Sequence, residues 1–434
     1  MTYAIINGII LNGHADMKPQ KDKAIIVEGE KIKAIVDKEN IPEGIKTIDL
    51  RGKFILPGLI NLHVHIPSSG KPTKKKLNYE KLAKLLKLGV ARAVVFKMCE
   101  SNAKTQLLSG TTTIRAVGGV LDFDTKLRNK INAGKVEGPR ILAANTAISV
   151  PGGHMTGSVA LPAHSVEEAV QMVHDRDAEK PDLIKLMITG GVLDAVVPGE
   201  PGVLRMPKEY VKAACDEAHK LGYKVAAHVE STEGMIVALE NGVDTIEHGG
   251  KPTEETTRLF KEKNAILVAT LSPAVPFALM DQAVSGLNDF DLINGKALFA
   301  HMKECVNNAL ENGITVGLGT DTGCPYTTHY DMWRELWYFK KYCGVSSEYA
   351  IHTATEINAR ILGLDNEIGT IDEGKSADFV VVENDPIENV LALRDPTDVF
   401  FKGKYYANPK PKKFKEVDYQ LDRIISILSK TAQV

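Results

Sequence analysis

This chain of 434 residues has few cysteines, lacks long apolar runs and has almost no net charge. Its five cysteines stand far apart, in an odd number and without a CxxC pair. This pattern argues against a disulfide framework or a zinc ribbon and favours a reducing cytoplasm. No window approaches the roughly 18 consecutive apolar residues that a membrane-spanning helix needs. The first residues lack a basic stretch followed by an apolar one, so we expect neither a signal peptide nor a membrane anchor.

The balance of charge excludes a further class of partner. The chain has 53 Lys and Arg against 55 Asp and Glu, which gives a net charge of −2 and a pI near 6.7. Such a balance provides no global field that would recruit nucleic acid or an anionic membrane. We therefore expect a small molecule as the partner of a cytoplasmic protein. The sequence leaves the oligomeric state open, a homo-oligomer included.

Strand-like and helix-like segments alternate between residues 57 and 362. Eight runs of strand length are separated mostly by amphipathic stretches, of which Pro207–Leu221 is an example. Eight such units over about 300 residues favour an α/β fold of the (β/α)8 TIM barrel type over an open doubly wound sheet. The predicted barrel strands are Leu59–His65, Thr111–Val117, Arg140–Ala147, Leu183–Thr189, Lys224–His228, Thr245–His248, Ala265–Leu271 and Ile314–Thr320.

Both ends of the chain have a β pattern. Short β segments with turns such as Asn7-Gly8 fill residues 1–56, and short strands return within residues 363–410. We predict that the two ends together form one small β-sandwich domain beside the barrel. The predicted strands of the second part are Ile368–Ile371, Asp378–Glu383 and Val399–Tyr406.

Two segments are expected to be helical additions to these domains. Residues 411–434 are predicted to be a C-terminal extension with a helix over Asp418–Lys430. The long insert after the first barrel strand, residues 66–110, is predicted to hold a helix at Leu77–Leu88 and part of a lid.

Polar residues stand at the ends of several predicted barrel strands. The first strand ends in His63-Val64-His65, and residues i and i+2 of a strand face the same side, so both imidazoles can bind one metal ion. Active sites of such barrels lie at the carboxyl ends of the strands. Because so many polar groups meet there, coincidence is a poor explanation. The full set is His63, His65, Lys185, His228, His248 and Asp321.

Lys185 is the most informative single residue of this set. It interrupts the apolar run Leu183–Ile188, where a charged amine is costly unless it is paired. One interpretation is a salt bridge across the barrel core. The other is carboxylation by carbon dioxide, because burial lowers the pKa of the amine and favours its nucleophilic neutral form. The resulting carbamate is an anion that can bridge two cations.

The chain resembles the amidohydrolase superfamily, and the resemblance extends over nearly its whole length. The matching stretches are PGLINLHVH (57–65), SGTTTIR (109–115), DLIKLMITGG (182–191), AAHVES (226–231), DTIEHGG (244–250), GLGTDTG (317–323) and ATEINARILGLDNEIGTIDEGKSADFVVVEND (354–385).

The resemblance implies a site with two divalent metal ions, of which zinc suits histidine-rich sites best. His63, His65, Lys185 and Asp321 would hold the more buried ion. Lys185, as N6-carboxylysine, would also hold the more exposed ion together with His228 and His248. A hydroxide would bridge the pair, and Asp321 would take its proton and pass it to the leaving amine.

Within the superfamily, the sequence is similar to the imidazolonepropionase-like and Xaa-Pro dipeptidase-like branch. The deaminases usually lack the strand-four lysine and place a glutamate about three residues after the strand-five histidine, whereas here Glu230 stands two after His228. We therefore expect hydrolysis of an amide bond in a dipeptide or an N-acyl amino acid. A cyclic amide, lactone or carbamate, or ring deamination, is the alternative.

Three further residues are expected to contact the substrate. His154 lies in a Gly-Gly loop after the third strand, and a loop-structural role is its alternative. Glu230 would disfavour a substrate carboxylate and favour a cationic or neutral group, and a salt bridge at the barrel rim explains it equally well. His329 follows Asp321 in the loop PYTTHYDMW, and its alternative role is to support residues of the site without contacting the substrate.

Overall fold

The computed structural model describes residues 2–72 and 85–430. The first strands of the chain are short and are separated by tight turns. Asn7, with φ of 55°, and Gly8 end the first strand, as the Asn-Gly signal predicts. The strands are β1 (Thr2–Ile6), β2 (Ile9–Ile10), β3 (Lys23–Glu28), β4 (Lys31–Asp37), β5 (Lys46–Asp49) and β6 (Phe54–Pro57).

Ten strands follow in the middle of the chain, and eight of them form a parallel barrel. Each of the eight predicted strand-like runs contains one barrel strand, so the predicted TIM barrel is confirmed. The barrel strands are β7 (Leu59–Val64), β8 (Thr111–Ala116), β9 (Arg140–Ala143), β12 (Leu183–Met187), β13 (Lys224–Val229), β14 (Thr245–His248), β15 (Ile266–Ala269) and β16 (Val316–Leu318). The remaining two, β10 (Ala147–Ser149) and β11 (Ala160–Pro162), extend the sheet beside β12.

Backbone hydrogen bonds close the barrel between its first and last strands. The amide of Asp321 donates to the carbonyl of His63 over 2.9 Å, and the amide of His65 donates to the carbonyl of Thr322 over 2.7 Å. On the other side, the amide of Asp182 donates to the carbonyl of Ala143 over 2.8 Å and joins β9 to β12. The closure places the ends of β7 and β16 side by side.

Helices cover the outside of the barrel. Their buried faces carry apolar residues at helical spacing, for example Val211, Ala214, Cys215 and Ala218. The helices are α1 (Gly89–Leu108), α2 (Phe123–Asn132), α3 (Val166–Ala178), α4 (Lys208–Lys220), α5 (Thr232–Glu240), α6 (Glu254–Lys263), α7 (Leu271–Leu279), α8 (Gln282–Ser285), α9 (Asp289–Glu311), α10 (Met332–Cys343), α11 (Ser347–His352), α12 (Asn358–Ile361) and α13 (Lys415–Lys430).

Three late strands return the chain to the β region of its beginning. They are β17 (Phe379–Val382), β18 (Asp398–Phe401) and β19 (Lys404–Ala407). They join β6 and β2 in a sheet of order β19-β18-β17-β6-β2, which faces a second sheet of order β4-β3-β1-β5. Apolar side chains from both sheets, Ile25 and Phe379 among them, form one buried core. The two chain ends therefore build one small β domain.

The predicted strand Ile368–Ile371 is wrong. Gly369 has φ of 93°, which interrupts an extended backbone, and the amide of Ile371 makes a single cross-chain bond to the carbonyl of Asn12. The predicted helix Leu77–Leu88 lies largely in residues 73–84, outside the described residues. Among the residues that are described, no helix is long and apolar enough to span a bilayer.

The C-terminal helix α13 begins three residues before the predicted position and packs on the barrel. Its buried residues Val417, Leu421 and Ile424 follow helical spacing. Arg334 of α10, 2% exposed, anchors it through an ion pair of 2.9 Å to Asp422, and it also pairs over 3.0 Å with Asp331, which directly precedes α10. Arg334 and Asp331 are both buried. Loss of either one leaves the other as a buried charge without a partner.

We expect Arg334→Ala to lower the free energy of unfolding by about 3–5 kcal/mol, because Asp331 then stays buried without a cation. Urea denaturation followed by circular dichroism measures the loss. Arg258→Ala is the matched control, since its ion pair with Glu262 is exposed and should contribute less than about 1 kcal/mol. Equal losses in the two variants would contradict an anchoring role for Arg334.

Candidate metal centre

The first candidate group of metal ligands forms where β7 and β16 meet. His63 is 1% exposed and His65 projects from the same side of the strand end. Gly319 permits the close approach of the two strands, because a Cβ there would lie 2.6 Å from the Cβ of His63. Asp321 follows β16 in the left-handed region, with φ of 55°, which costs a non-glycine residue of order 1–3 kcal/mol. This backbone conformation is typical of functional sites.

In this group one carboxylate oxygen faces two imidazole nitrogens. Oδ1 of Asp321 lies 3.4 Å from Nε2 of His63 and 3.2 Å from Nε2 of His65. Burial, and next the charge of Lys185, lower the pKa of His63 well below its usual range. A neutral ring presents a lone pair, so the three side chains are suited to hold a cation.

The second candidate group consists of His228, Glu230 and His248. One ligand atom of each lies within 4.8 Å of the others, and all three residues are buried. Nε2 of His228 lies 3.0 Å from the carbonyl of Gly190, which fixes that nitrogen as a donor and leaves Nδ1 for a cation. His248, with φ of 71°, has Nδ1 at 2.6 Å from the hydroxyl of Thr270.

The two groups are adjacent. The ring centroids of His63 and His248 are 4.8 Å apart, and those of His228 and His248 are 4.7 Å apart. His248 therefore contacts a histidine of each group. A pair of cations bound here would be close neighbours, as in two-metal hydrolytic sites.

Lys185 lies within the interior of the barrel beside both groups. It is 1% exposed, and within the described residues its Nζ has no hydrogen-bond partner and no ion pair. Burial lowers its pKa to about 8, the charge of Arg115 also lowers it, and the charge of Glu247 opposes the shift. The salt bridge considered from the sequence is therefore not formed. An orphaned amine with a depressed pKa fits carboxylation and a carbamate ligand.

A buried ionic network beneath the site was missed from the sequence. Oε2 of Glu247, which is fully buried, lies 2.7 Å from Nδ1 of His63. The guanidinium of Arg115 donates to both oxygens of Glu247 over 2.8 and 2.9 Å and to the carbonyl of Leu62 over 2.7 Å. Because Glu247 fixes Nδ1 of His63, it turns Nε2 toward Asp321.

The sequence did hold a signal for this network. Thr245 and Glu247 alternate along β14, which places both in the barrel interior, and the reasoning applied to Lys185 applies equally to a buried carboxylate. What the sequence did not hold was its partner, because Arg115 stands more than a hundred residues earlier on β8.

Of the three residues expected to contact substrate, Glu230 belongs to the second group and His154 lies beside it. The ring of His154 stacks on that of His228 with centroids 4.0 Å apart, and its Nδ1 lies 2.7 Å from Oδ2 of Asp194. Glu230 follows the end of β13, and burial, with the charges of Asp194 and Asp321, raises its pKa well above the usual range. Both line the wall of the candidate centre next to His228.

His329 has a different environment. Its Nδ1 lies 3.2 Å from the amide of Gln106, and its Nε2 lies 2.6 Å from the carbonyl of Ser68. Both ring nitrogens are thus engaged by protein, and the ring holds the segment after β7 against the loop after β16. The substrate contact expected of His329 stays a prediction. Cys324, which the sequence reasoning did not select, donates its thiol to Oδ2 of Asp321 over 3.2 Å.

Comparisons with known proteins agree with this architecture. A family model described as "Amidohydrolase family" matches residues 54–406, and one described as "NagA composite domain" matches residues 2–55. Ochratoxinase from Aspergillus niger is 24% identical over 445 residues, which cover 93% of this chain and 86% of that protein.

Solved structures are similar over almost the full chain. A protein from Bifidobacterium longum with a provisional prolidase assignment is 34% identical with a TM-score of 0.85, and the match covers 98% of this chain and 99% of that one. A Xaa-Pro dipeptidase with methionine bound in its active site is 29% identical with a TM-score of 0.79. That match covers 94% of this chain and all of the dipeptidase chain.

We expect Glu247→Gln to lower the affinity for Zn²⁺ by about 10–100-fold, because the charged partner of His63 Nδ1 is lost while the size of the side chain is kept. Competition with a chromophoric chelator measures the affinity. Glu254→Gln, on the exposed start of α6, is the control and should leave it unchanged. An unaltered affinity in Glu247→Gln would show that the carboxylate does not orient His63.

The fold, the domain arrangement and the grouped candidate ligands all agree with the same family. The family model covers the barrel and part of the small domain, and a structure more than 30% identical matches from end to end. Members of this family are hydrolases of carbon–nitrogen bonds in small substrates, and they generally use divalent metal ions. The chain belongs to the amidohydrolase family.

Proposed function

We propose that this protein is a binuclear metal-dependent hydrolase that cleaves the amide bond of a dipeptide or an N-acyl amino acid. The observation that supports it most is the amine of Lys185, which has no partner among the described residues and is buried beside two adjacent groups of candidate ligands. The similarity to a Xaa-Pro dipeptidase over nearly the whole chain supports a substrate of this size.

In this proposal the residues divide between two cations, with zinc the best suited. His63, His65 and Asp321 hold one ion, His228 and His248 hold the other, and Lys185 serves both as N6-carboxylysine. When bound, the cations supply Lewis acidity, which polarises a scissile carbonyl and acidifies a water molecule.

Asp321 is the proposed general base and acid. Its Oδ1 faces the two histidines of the first group, so Oδ2 is the oxygen that remains for proton transfer. Oδ2 accepts a proton from the attacking water and delivers it to the leaving amine. The thiol of Cys324 donates to the same oxygen and fixes the orientation of the carboxylate.

Direct substrate contacts are proposed for His154 and Glu230, and an indirect role at the substrate site is proposed for His329. The ring of His154 stacks on His228, and Asp194 holds its Nδ1, so Nε2 is the nitrogen left to contact a carbonyl or carboxylate of the substrate. His329 acts through the segment of Ser68 that it holds. Glu230 is the least satisfied of the three groups, because its Oε2 lacks a hydrogen-bond partner among the described residues.

Metal content tests the carbamate. Protein expressed with zinc and bicarbonate should contain about two zinc ions per chain, and Lys185→Ala should lose at least about half of them, because the shared ligand is gone. Elemental analysis with protein quantified by amino-acid analysis gives the ratio. Lys224→Ala is the control, since Lys224 is exposed and pairs with Asp244 at the amino-terminal start of β13. One zinc per chain in both parent and Lys185→Ala would contradict a carbamate bridge.

Activity tests the substrate class. The zinc-loaded protein should hydrolyse members of a dipeptide and N-acyl amino acid library, and Asp321→Asn should lower kcat by at least about 100-fold, because no group remains to move the proton. Turnover confined to lactones, carbamates, cyclic amides or amino-substituted rings in the same screen would replace the proposed reaction with the alternative one.

A further inference from the structure

Glu230 is a buried carboxylate without a cationic partner. Its side chain is 8% exposed, and Oε2 has no hydrogen-bond partner among the described residues. Its one ion-pair contact within residues 2–72 and 85–430 is Nε2 of His228, 3.8 Å from Oε1. That nitrogen already faces the carbonyl of Gly190. A buried carboxyl group in this condition is costly to ionise, so a ligand that brings a positive charge would favour the ionised form and gain an ion pair.

The surrounding loops hold this carboxylate in place. The amide of Glu230 donates to the hydroxyl of Thr189 over 3.0 Å. A Cβ on Gly191 would lie 3.5 Å from Oε2 of Glu230 and 2.7 Å from Cε1 of His154, so a glycine is needed for the two side chains to stand side by side. A Cβ on Gly202 would lie 2.3 Å from the carbonyl of Glu230. The position of the carboxylate is therefore built by the fold.

The charges near Glu230 add to its negative potential. Asp194 and Asp321 both act on Glu230 as like charges. Asp194 is itself occupied by the ring of His154 and by the amide of Gly191, which donates to it over 2.6 Å. Arg205 offsets the charge of Asp194. Glu230 therefore remains the uncompensated carboxylate of this wall, and it favours a positively charged group of the substrate over a carboxylate beside it.

Glu230 belongs to the second candidate group, but its carboxylate lies toward Nε2 of His228, whereas Nδ1 is the atom that would hold a cation. Its Oε1 approaches Nε2, whereas Nδ1 is the nitrogen left free by the bond to Gly190. This geometry favours a charge on the substrate over the metal ion as the partner of Glu230.

We propose that Glu230 is the receptor for a cationic group of the substrate, namely the free α-ammonium of a dipeptide. The inference rests on the proposed function, in which the cations, one of them held by His228 and His248, polarise the scissile carbonyl. The α-ammonium of a dipeptide stands on the carbon next to that carbonyl. It would therefore lie close to His228 and to its neighbour Glu230. The site would then select dipeptides with a free amino terminus over N-acyl amino acids.

The experiment compares each dipeptide of a library with its N-acetylated form, which differs at the charged group alone. We expect the zinc-loaded parent protein to prefer the free amine by at least tenfold in kcat/KM, and Glu230→Gln to remove that preference. Glu233→Gln, on the exposed first turn of α5, is the matched control and should keep it. A preference that survives in Glu230→Gln, or that is absent from the parent, would overturn the proposal while leaving the amide hydrolase intact.

Zinc content distinguishes a substrate role from a metal-ligand role. Glu230→Gln should contain as much zinc per chain as the parent, and a loss of zinc would show that the carboxylate binds the metal instead. If the parent cleaves no compound of the library, the proposed function fails, and binding still decides the role of Glu230. L-leucine amide should then raise the Tm of the parent but not of Glu230→Gln, and N-acetyl-L-leucine amide should raise neither. Equal stabilisation of both proteins would overturn the receptor.

Discussion

The closure of the barrel between β7 and β16 is the constraint on which the site depends. The two hydrogen bonds that join Asp321 to His63 and Thr322 to His65 connect segments some 250 residues apart in the chain. They place the aspartate oxygen between two histidine nitrogens without help from a loop. The strained backbone of Asp321 is held by the same bonds, because a residue in the left-handed region persists when its surroundings fix it.

Below this junction the polar side chains that meet at Glu247 have hydrogen-bond partners, whereas two polar groups nearer the mouth have none in the described part of the chain. Glu247 is satisfied by Arg115, Thr245 and His63, and this part of the interior is rigid because each hydrogen-bonding group has a partner. Nearer the mouth, the amine of Lys185 and the carboxylate of Glu230 lack partners among the described residues. Such groups lower the stability of the empty protein, and they gain stability from whatever supplies the missing charge.

The small β domain and helix α13 act at a distance from the chemistry. The β domain joins the first and last thirds of the chain in one core that contains Tyr3 and Phe400. Helix α13 is fixed by Arg334, which projects from α10 soon after the loop of His329. That loop packs on the segment of Ser68 next to His65. The outer elements therefore support the ends of the strands that carry the candidate ligands.

Strand periodicity and polar residues at strand ends are local signals, so the barrel, the two-part small domain and the candidate ligands at its centre can be predicted from the sequence. The failure of Ile368–Ile371 to form a strand cannot, since it depends on a glycine conformation and on pairing with Asn12. Which buried side chains find hydrogen-bond and ion-pair partners depends on the folded chain. Arg115 finds Glu247 and leaves Lys185 unpaired because the closed barrel sets the distances between β8, β12 and β14, and no local pattern in the chain encodes those distances.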